Sequence, residues 1–285
     1  MSAAGLCLLD GRIVPLAEAR ISPLDRGFLF GDSVYEALKV RDGRILFLPR
    51  HLERLRLSLA ALRIPEPPYV AAQLETLRAR AELASGGLYL QITRGAEPAR
   101  SHKVNLQLTP TLFALPDPID FPPEPWNLPG LAAMTRADDR WRHCDIKSTA
   151  LAASILGKLA AADAGADEVL LLGPDGELRE GGHTNLLVRD GAGWHTHPTG
   201  PAILAGVTRA VLLEQAAAAG IPIEERAPLL ACRGDWREVL VTGTTTGVRG
   251  VVEVDGVAIG DGKVGEGTRQ LARLLDDAER LEAHR

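Results

Sequence analysis

The stretch LPDPIDFPPEPWNLPG, residues 115–130, decides how the chain is organised. Its six prolines exclude a regular helix, because proline lacks a backbone N–H and its ring clashes with the preceding turn. The stretch therefore predicts a linker or an extended crossing segment. We place a small N-terminal α/β domain at residues 1–118, a Pro-rich interdomain segment at residues 119–130 and a larger C-terminal domain at residues 131–285.

The sequence ahead of this stretch predicts strands around two helices. Asp-Gly pairs at residues 10–11 and 42–43 are typical of tight hairpin turns. Pro49 opens a predicted helix whose apolar residues recur at steps of three and four. These residues are Leu52, Leu55, Leu59 and Leu62. A second helix is predicted at about residues 68–83, and LYLQITRG, residues 88–95, is a further strand.

The sequence after the Pro-rich stretch alternates predicted helices and strands. Ser148 is a candidate N-cap for a helix that runs to about Ala164. Another helix is predicted at residues 206–219, and residues 237–256 form two strands around a Thr/Gly-rich turn. There is no internal repeat and no GxGxxG fingerprint, so a dinucleotide-binding fold is disfavoured and the predicted fold class is α+β.

Composition limits the class of protein. The 285 residues are 46% hydrophobic and 24% charged, and the mean hydropathy is +0.01, which is typical of a globular protein rather than a disordered or fibrous one. The net charge of −5 gives no reason to expect a nucleic-acid partner. The three cysteines predict neither a disulfide framework nor a zinc site. We expect a protein of the cytoplasm with no signal peptide and no membrane segment.

Two ionisable residues are candidates for chemistry with pyridoxal 5'-phosphate (PLP). Lys147 precedes a small, apolar predicted helix, which draws its amine toward the interior. Desolvation lowers the pKa of an amine and makes it a nucleophile toward carbonyls, as a Schiff base with PLP requires. Glu180 lies beside two glycines in LREGGHTN and is the candidate acid for the ring nitrogen. Taken singly, each residue is more typical of a solvated side chain.

Phosphate groups need backbone amides, hydroxyls and a cation. The segment ILAGVTRAVLL places Val207 and Thr208 at the start of a predicted helix, where the unpaired N–H groups favour an anion. Thr244 and Thr245 lie in the TGTTTG turn and can contribute hydroxyls and amides. Arg54 is the candidate cation; the alternative is a polar helix face in water.

In combination, these motifs identify a family. The sequence resembles the fold-type IV PLP enzymes, the D-amino-acid and branched-chain aminotransferase family. The matching motifs, in order, are DRGFLFGDSVYEALKV (25–40), HLERL (51–55), DIKS (145–148), EGGHTN (180–185), LAGVTR (204–209) and TGTTTG (242–247). The resemblance covers nearly the whole chain. It implies a small α/β domain, a larger cofactor-binding domain with a pseudo-barrel, and a homodimer.

The same resemblance implies residue roles. Lys147 forms the Schiff base and moves the proton, and Glu180 pairs with the pyridinium nitrogen. The residues implied to hold the phosphate are Arg54, Val207, Thr208, Thr244 and Thr245.

Three segments resemble the D-amino-acid (D-alanine) aminotransferase branch of the family. In RGAEPARSHKV, Arg100 and His102 match a loop that receives the substrate carboxylate, and Tyr35 matches a tyrosine that completes this site. Arginine's planar fork suits a carboxylate. The sequence around Lys147 is also closer to this branch. Gly247 and Arg249 depart from the pattern of relatives, so the resemblance predicts no particular side chain for the substrate. His183 is assigned no role.

The expected reaction is a ping-pong transamination from a D-amino acid to a 2-oxo acid such as 2-oxoglutarate or pyruvate. The alternatives within the family are an (R)-amine transaminase, a branched-chain L-aminotransferase and an aminodeoxychorismate lyase. A non-catalytic PLP-binding protein is the alternative from another class. His195 and His197 alternate on a predicted strand, but no third ligand is evident, so no metal is expected.

Overall fold

The computed structural model describes residues 5–285, and the chain forms two compact units. The first unit comprises the residues up to Phe121 together with Ile146–Ala150 and Arg280–Arg285. The second unit comprises Pro122–Asp145 and Leu151–Glu279. The main division, between residues 121 and 122, falls inside the predicted interdomain segment.

Within the described part of the first unit, a six-stranded antiparallel sheet has the order β2-β1-β6-β5-β3-β4. The strands are β1 (Leu6–Leu9), β2 (Arg12–Pro15), β3 (Ser33–Arg41), β4 (Arg44–Ile45), β5 (Gly86–Thr93) and β6 (Leu112–Asp117). Both predicted Asp-Gly hairpins are confirmed, because Leu9 pairs with Arg12 and Arg41 with Arg44. The φ angles of Asp10 and Gly11 are 49° and 78°, as such turns require.

The described residues of this unit form the helices α1 (Arg26–Phe30), α2 (Leu48–Leu62) and α3 (Val70–Arg80). The predicted leucine stripe is confirmed, since Leu52, Leu55 and Leu59 of α2 are buried in the core against the sheet. The core is aliphatic, and burying each such side chain contributes roughly 1.5–3 kcal/mol.

The second unit is built on a nine-stranded mixed sheet of the described residues. Its strands are β7 (Leu131–Ala137), β8 (Glu168–Leu172), β9 (Leu178–Gly181), β10 (Asn185–Arg189), β11 (Trp194–Thr196), β12 (Ile223–Glu225), β13 (Glu238–Gly243), β14 (Gly247–Val254) and β15 (Val257–Ala258). The order β10-β13-β14-β7-β8-β9 returns to β10 through the pair Asn185–Glu180. This closed ring confirms the predicted pseudo-barrel and the α+β fold class.

The remaining helices are α4 (Ala152–Asp163), α5 (Val207–Ala218) and α6 (Glu266–Ala283). The prediction for α5 is confirmed to within one residue at each end. Residues 280–283, at the end of α6, group with the first unit.

The start of α4 corrects one sequence-based prediction. Ser148 is not the N-cap, because the helix begins at Ala152 with Leu151 in the capping position. Ser148 instead bridges to Val34, and Lys147 O accepts a hydrogen bond of 3.0 Å from Tyr35 N. This strand-like pairing holds the backbone of Lys147 against β3, so residues 146–150 lie with the first unit and not with residues 131–145.

No helix among residues 5–285 is long and apolar enough to cross a membrane.

Gly95, at the exit of β5, provides a test of the fold. Its φ is +103°, and a Cβ at this position would lie 2.1 Å from the Thr109 carbonyl oxygen. Gly95→Ala should therefore lower the free energy of unfolding by roughly 2 kcal/mol or more, because neither the backbone conformation nor the contact tolerates a methyl group. Urea unfolding followed by circular dichroism measures the change.

Gly5→Ala is the matched control. A Cβ there meets nothing within 4 Å, so its unfolding free energy should stay within about 0.5 kcal/mol of the wild type. Equal stability of the two variants would contradict the described geometry at Gly95.

Candidate active site

In the first unit, Lys147 is half-buried and its main chain is fixed. Its backbone N donates a hydrogen bond of 3.1 Å to Ser58 Oγ, and its carbonyl accepts from Tyr35 N. Its Nζ lies 4.2 Å from the centroid of the Tyr35 ring, within the range of a cation–π contact. Two of the predicted site residues, Lys147 and Tyr35, are therefore in contact.

Arg54 is buried in an ion-pair cluster on the same unit. Its Nε and Nη2 lie 2.9 and 2.7 Å from the two carboxylate oxygens of Glu36, a bidentate arrangement. His51 Nδ1 lies 2.7 Å from Glu36 Oε2. Only 1% of Glu36, 2% of His51 and 8% of Arg54 is exposed, so this face of α2 is not a solvated one.

The charge states within this cluster follow from burial and pairing. Burial alone would raise the pKa of Glu36, but Arg54 and His51 outweigh it and lower the pKa to about 2. Burial lowers the pKa of His51, and the charges of Arg54 and Lys147 lower it further against the opposing effect of Glu36. A neutral His51 must then donate its Nδ1–H to the Glu36 carboxylate.

Arg100 and His102 are exposed on the loop after β5, and both contact one ring. The Arg100 guanidinium lies 5.3 Å from the centroid of Phe30, and the His102 ring lies 5.2 Å from it. The structure thus brings the two predicted carboxylate-binding side chains to the same aromatic side chain. Tyr35 has different contacts: beyond Lys147, its ring lies 5.8 Å from that of Tyr89.

In the second unit, Glu180 is a buried carboxylate with several donors. Its Oε2 accepts hydrogen bonds of 3.0 Å from Asn185 Nδ2 and 3.0 Å from Leu204 N, and its Oε1 accepts one from Arg140 Nη1. Arg140 also makes two contacts of 2.9 Å with Asp138. The pair Asn185–Glu180 is the point where the strand ring closes.

Burial dominates the titration of Glu180. It raises the pKa of this carboxyl to about 7, although Arg140 and the Leu204 N–H act in the opposite direction. Burial alone would lower the pKa of the Arg140 guanidinium, but the carboxylates of Asp138 and Glu180 raise it, so Arg140 stays charged. Glu180 can therefore hold or release a proton near neutral pH.

The glycine turn after Glu180 is fixed by a second buried carboxylate, Glu168. Its Oε1 accepts hydrogen bonds of 3.3 Å from Gly182 N and 2.9 Å from Val169 N. Its Oε2 accepts one of 3.1 Å from Thr184 Oγ1. The EGGHTN segment is thus a rigid turn rather than a mobile loop.

The predicted phosphate-binding residues of the second unit lie at two turns. Gly206 is the N-cap of α5, and Val207 and Thr208 in its first turn are buried. Thr244 is half-buried and Thr245 exposed in the turn between β13 and β14.

Two histidines, an arginine and a cysteine that were given no site role contact residues outside the predicted site or are buried. His195 Nε2 lies 2.8 Å from Asp190 Oδ1, and His197 Nδ1 lies 2.8 Å from Pro198 O. Arg249 donates a hydrogen bond of 3.0 Å to Pro129 O. Cys144 is buried, and burial raises the pKa of its thiol to about 11.

Sequence reasoning missed the residues that hold the candidates in place. Glu36, Arg140 and Asp138 received no role, and neither did Arg26 and Phe30. Arg26, Phe30 and Glu36 lie inside DRGFLFGDSVYEALKV, residues 25–40. Their place in this family motif was the one sequence feature that could have indicated a supporting role. Their partners are distant in sequence, and an ion pair such as Arg140–Glu180 leaves no local pattern.

The chain contains the kinds of donor group that PLP requires. The cofactor needs an amine, an acid for its ring nitrogen, and amides, hydroxyls and a cation for its phosphate. A Cβ at Gly206 would lie 1.9 Å from Asn185 Oδ1, so the start of α5 approaches the Glu180 cluster closely only with glycine there. The buried Thr242 Oγ1, in the first residue of the TGTTTG segment, has no hydrogen-bond partner among the described residues. It is available to a group that the chain itself does not supply.

Comparisons with known proteins indicate the family of the chain. The profile of the Amino-transferase class IV family matches residues 33–254. The chain is 35% identical to a D-alanine aminotransferase of Bacillus licheniformis over 95% of this chain and 96% of that protein.

Two solved structures are also similar. One is a branched-chain aminotransferase of the archaeon Thermoproteus uzoniensis, with a TM-score of 0.82 and 24% identity over 98% of this chain and 95% of that one. The other is the PLP-bound form of a hypothetical aminotransferase from Mycobacterium tuberculosis, with a TM-score of 0.81 and 25% identity over 96% of this chain and 98% of that one. The profile match and the sequence identity to an aminotransferase along nearly the whole chain show that this protein belongs to the class IV aminotransferase family.

Proposed function

We propose that the protein is a PLP-dependent D-amino-acid transaminase that passes the amino group of a D-amino acid to a 2-oxo acid by a ping-pong mechanism. The observation that supports it most is the 35% identity to a D-alanine aminotransferase along nearly the whole chain. The branched-chain aminotransferase neighbour is 24% identical, so that similarity concerns the fold alone.

PLP, when bound, supplies a conjugated electron sink for the electrons released at the substrate's α-carbon. Lys147 would hold the cofactor covalently through its Nζ. Once the amino group of the substrate has displaced it, the freed Nζ would take the α-proton and return it. Its fixed main chain and its contact with Tyr35 hold the amine in one place, which favours proton transfer over a short distance.

Glu180 holds the proton at the ring nitrogen. A pKa of about 7 for this buried carboxyl means that a cationic neighbour readily turns it into a carboxylate. Arg140 fixes its orientation and stays charged, so the proton rests on the ring side of the pair. The Asn185 and Leu204 donors occupy the other carboxylate oxygen.

The phosphate is assigned to amides, hydroxyls and a cation, as at many helix starts. The start of α5 offers Val207 and Thr208, the turn after β13 offers Thr244 and Thr245, and Arg54 contributes a guanidinium oriented by Glu36. Because Glu36 balances the charge of Arg54, much of the phosphate binding falls to the neutral donors.

Arg100 and His102, with Tyr35, bind the substrate carboxylate in this proposal. Their common contact with Phe30 supports joint action on one small anion. The proposal makes a carboxylate essential, which separates this activity from that of an amine transaminase.

We also propose a homodimer of the cytoplasm. The resemblance to the family suggests the dimer, and α4 exposes Ile155, Leu156 and Leu159, each more than half accessible, as an apolar face. All three cysteines are unpaired, which is the usual state in a reducing compartment. Light scattering of the purified protein measures the mass, and a monomer at micromolar concentration would contradict the dimer.

An assay with matched donors tests the substrate class. D-Alanine, L-leucine and (R)-1-phenylethylamine are each incubated with the PLP-loaded protein and 2-oxoglutarate, and the carbonyl products are quantified. Only D-alanine should give product. Product from L-leucine alone or from the amine alone would contradict the D-amino-acid assignment and indicate the corresponding transaminase. Product from none of the three would favour a lyase or a non-catalytic PLP-binding protein.

Lys147→Ala should abolish transamination and covalent binding of the cofactor. Borohydride reduction followed by peptide mapping should place the reduced adduct on the Lys147 peptide of the wild type and on no peptide of the variant. Lys158→Ala, which changes a lysine outside the predicted site, is the control and should keep the adduct. An adduct on another lysine of wild-type protein would refute the role of Lys147.

Glu180→Gln should keep the covalent adduct but slow transamination at least tenfold, which is about 1.4 kcal/mol in activation free energy. The neutral amide cannot stabilise a proton on the ring nitrogen. Single-turnover rates with D-alanine at pH 6 to 9 measure the change. A rate equal to that of the wild type at every pH would exclude Glu180 from proton control.

A further inference from the structure

The loop that follows β5 poses a physical problem for the proposed carboxylate site. Arg100 and His102 are both exposed, and exposed side chains on a loop normally sample many rotamers. Ordering them when substrate binds would cost affinity. A binding loop of this kind therefore needs an anchor that fixes it beforehand.

Arg26, in α1, is such an anchor. It is 5% exposed, and its Nη1 donates hydrogen bonds of 3.0 Å to Ser101 O and 3.3 Å to Lys103 O. These carbonyls flank His102 on both sides. The same nitrogen lies 2.9 Å from Glu97 Oε1, three residues before Arg100. One guanidinium nitrogen thus holds the loop at its beginning and at its centre.

Arg26 is itself held by a neighbouring ion pair. Its Nε donates to Asp32 Oδ2 at 2.8 Å. Arg94 binds both oxygens of Asp32, at 2.7 and 2.9 Å, and donates to the carbonyls of Leu62 and Arg63. Arg94 therefore shares the carboxylate with Arg26, while the carbonyls to which it donates lie at the end of α2 and not on the loop.

Phe30 completes the support, one helical turn after Arg26. Its ring lies 4.9 Å from the Arg26 guanidinium and contacts both Arg100 and His102. A guanidinium is attracted to the face of an aromatic ring, so this contact favours one rotamer of Arg100. The backbone of the loop and its two functional side chains are thus fixed by residues of one short helix.

We infer that Arg26 is a positioning residue that, together with Phe30, preorganises Arg100 and His102 for the carboxylate of the substrate. This inference rests on the proposed function, and it adds the residues that hold the carboxylate-binding loop in place before substrate binds. Both half-reactions use a carboxylate, from the amino acid and from the oxo acid. Loss of the anchor therefore raises both Michaelis constants in parallel and leaves binding of the cofactor unchanged.

Steady-state kinetics of Arg26→Gln test this inference. The KM values for D-alanine and for 2-oxoglutarate should each rise roughly tenfold, with a smaller change in kcat and a wild-type yield of borohydride adduct. Arg94→Gln is the matched control, because it removes a buried arginine from the same Asp32. It should lower the Tm but change both KM values less than about twofold. Unchanged KM values in Arg26→Gln, or an equal rise in Arg94→Gln, would overturn the inference.

Limited proteolysis gives a second measurement that needs no activity. Trypsin cleaves after Arg100 and Lys103, and a released loop is cut faster because cleavage requires local opening. Arg26→Gln should speed cleavage at these two bonds at least fivefold relative to Arg94→Gln. Equal cleavage rates would overturn the anchoring role even if the wild type proves inactive toward D-amino acids, an outcome that would refute the proposed function separately.

Phe30→Leu keeps an apolar side chain and removes the aromatic face. It should raise both KM values about threefold without faster cleavage at Arg100, since the backbone bonds of Arg26 remain. If Arg26→Gln does not fold, Phe30→Leu still tests the positioning of Arg100 and His102. Wild-type KM values in Phe30→Leu would then contradict the inference.

Discussion

The burial of the Glu180 carboxylate is the constraint on which the second unit depends. An ionised carboxyl that is 4% exposed is costly unless donors replace its water. Arg140, Asn185 and the Leu204 N–H are those donors, and each fixes an additional part of the fold. Asn185 pairs with Glu180 to close the strand ring, and its side chain also holds the Leu204 carbonyl just ahead of α5. These donors offset only part of the effect of burial, which raises the pKa of this carboxyl to about 7.

The first unit also buries a glutamate, but there the pKa of the carboxyl is lowered and not raised. Glu36 is equally buried, but two side chains of α2, Arg54 and His51, bind it and drive its pKa down to about 2. This carboxylate therefore stays ionised and serves as a fixed anion that orients Arg54. Two buried glutamates with different partners thus have pKa values that are shifted in opposite directions. The same strand that contains Glu36 also pairs with the backbone of Lys147, so the position of the Lys147 backbone depends on β3.

The sequence predicted those features that depend on local patterns. The Asp-Gly hairpins, the leucine stripe of α2 and the start of α5 at Gly206 follow from turn chemistry, periodicity and capping, and all three are found. Ser148 has the composition of a helix cap, but a strand from much earlier in the chain pairs with its backbone, and local propensity cannot foresee such pairing. The anchors Arg26 and Arg140 were missed for the same reason, since their partners Ser101 and Glu180 are far away in sequence. The expectation of ping-pong chemistry came from the family resemblance and not from a local pattern.

The proposed ping-pong enzyme stores the amino group between two half-reactions, and the stoichiometry of a single half-reaction measures this. The PLP-loaded protein is mixed with excess D-alanine and no acceptor, and the released pyruvate is counted per chain. About one pyruvate per chain should be released, after which release should stop until 2-oxoglutarate is added. Absence of pyruvate, or release that continues without an acceptor, would contradict it.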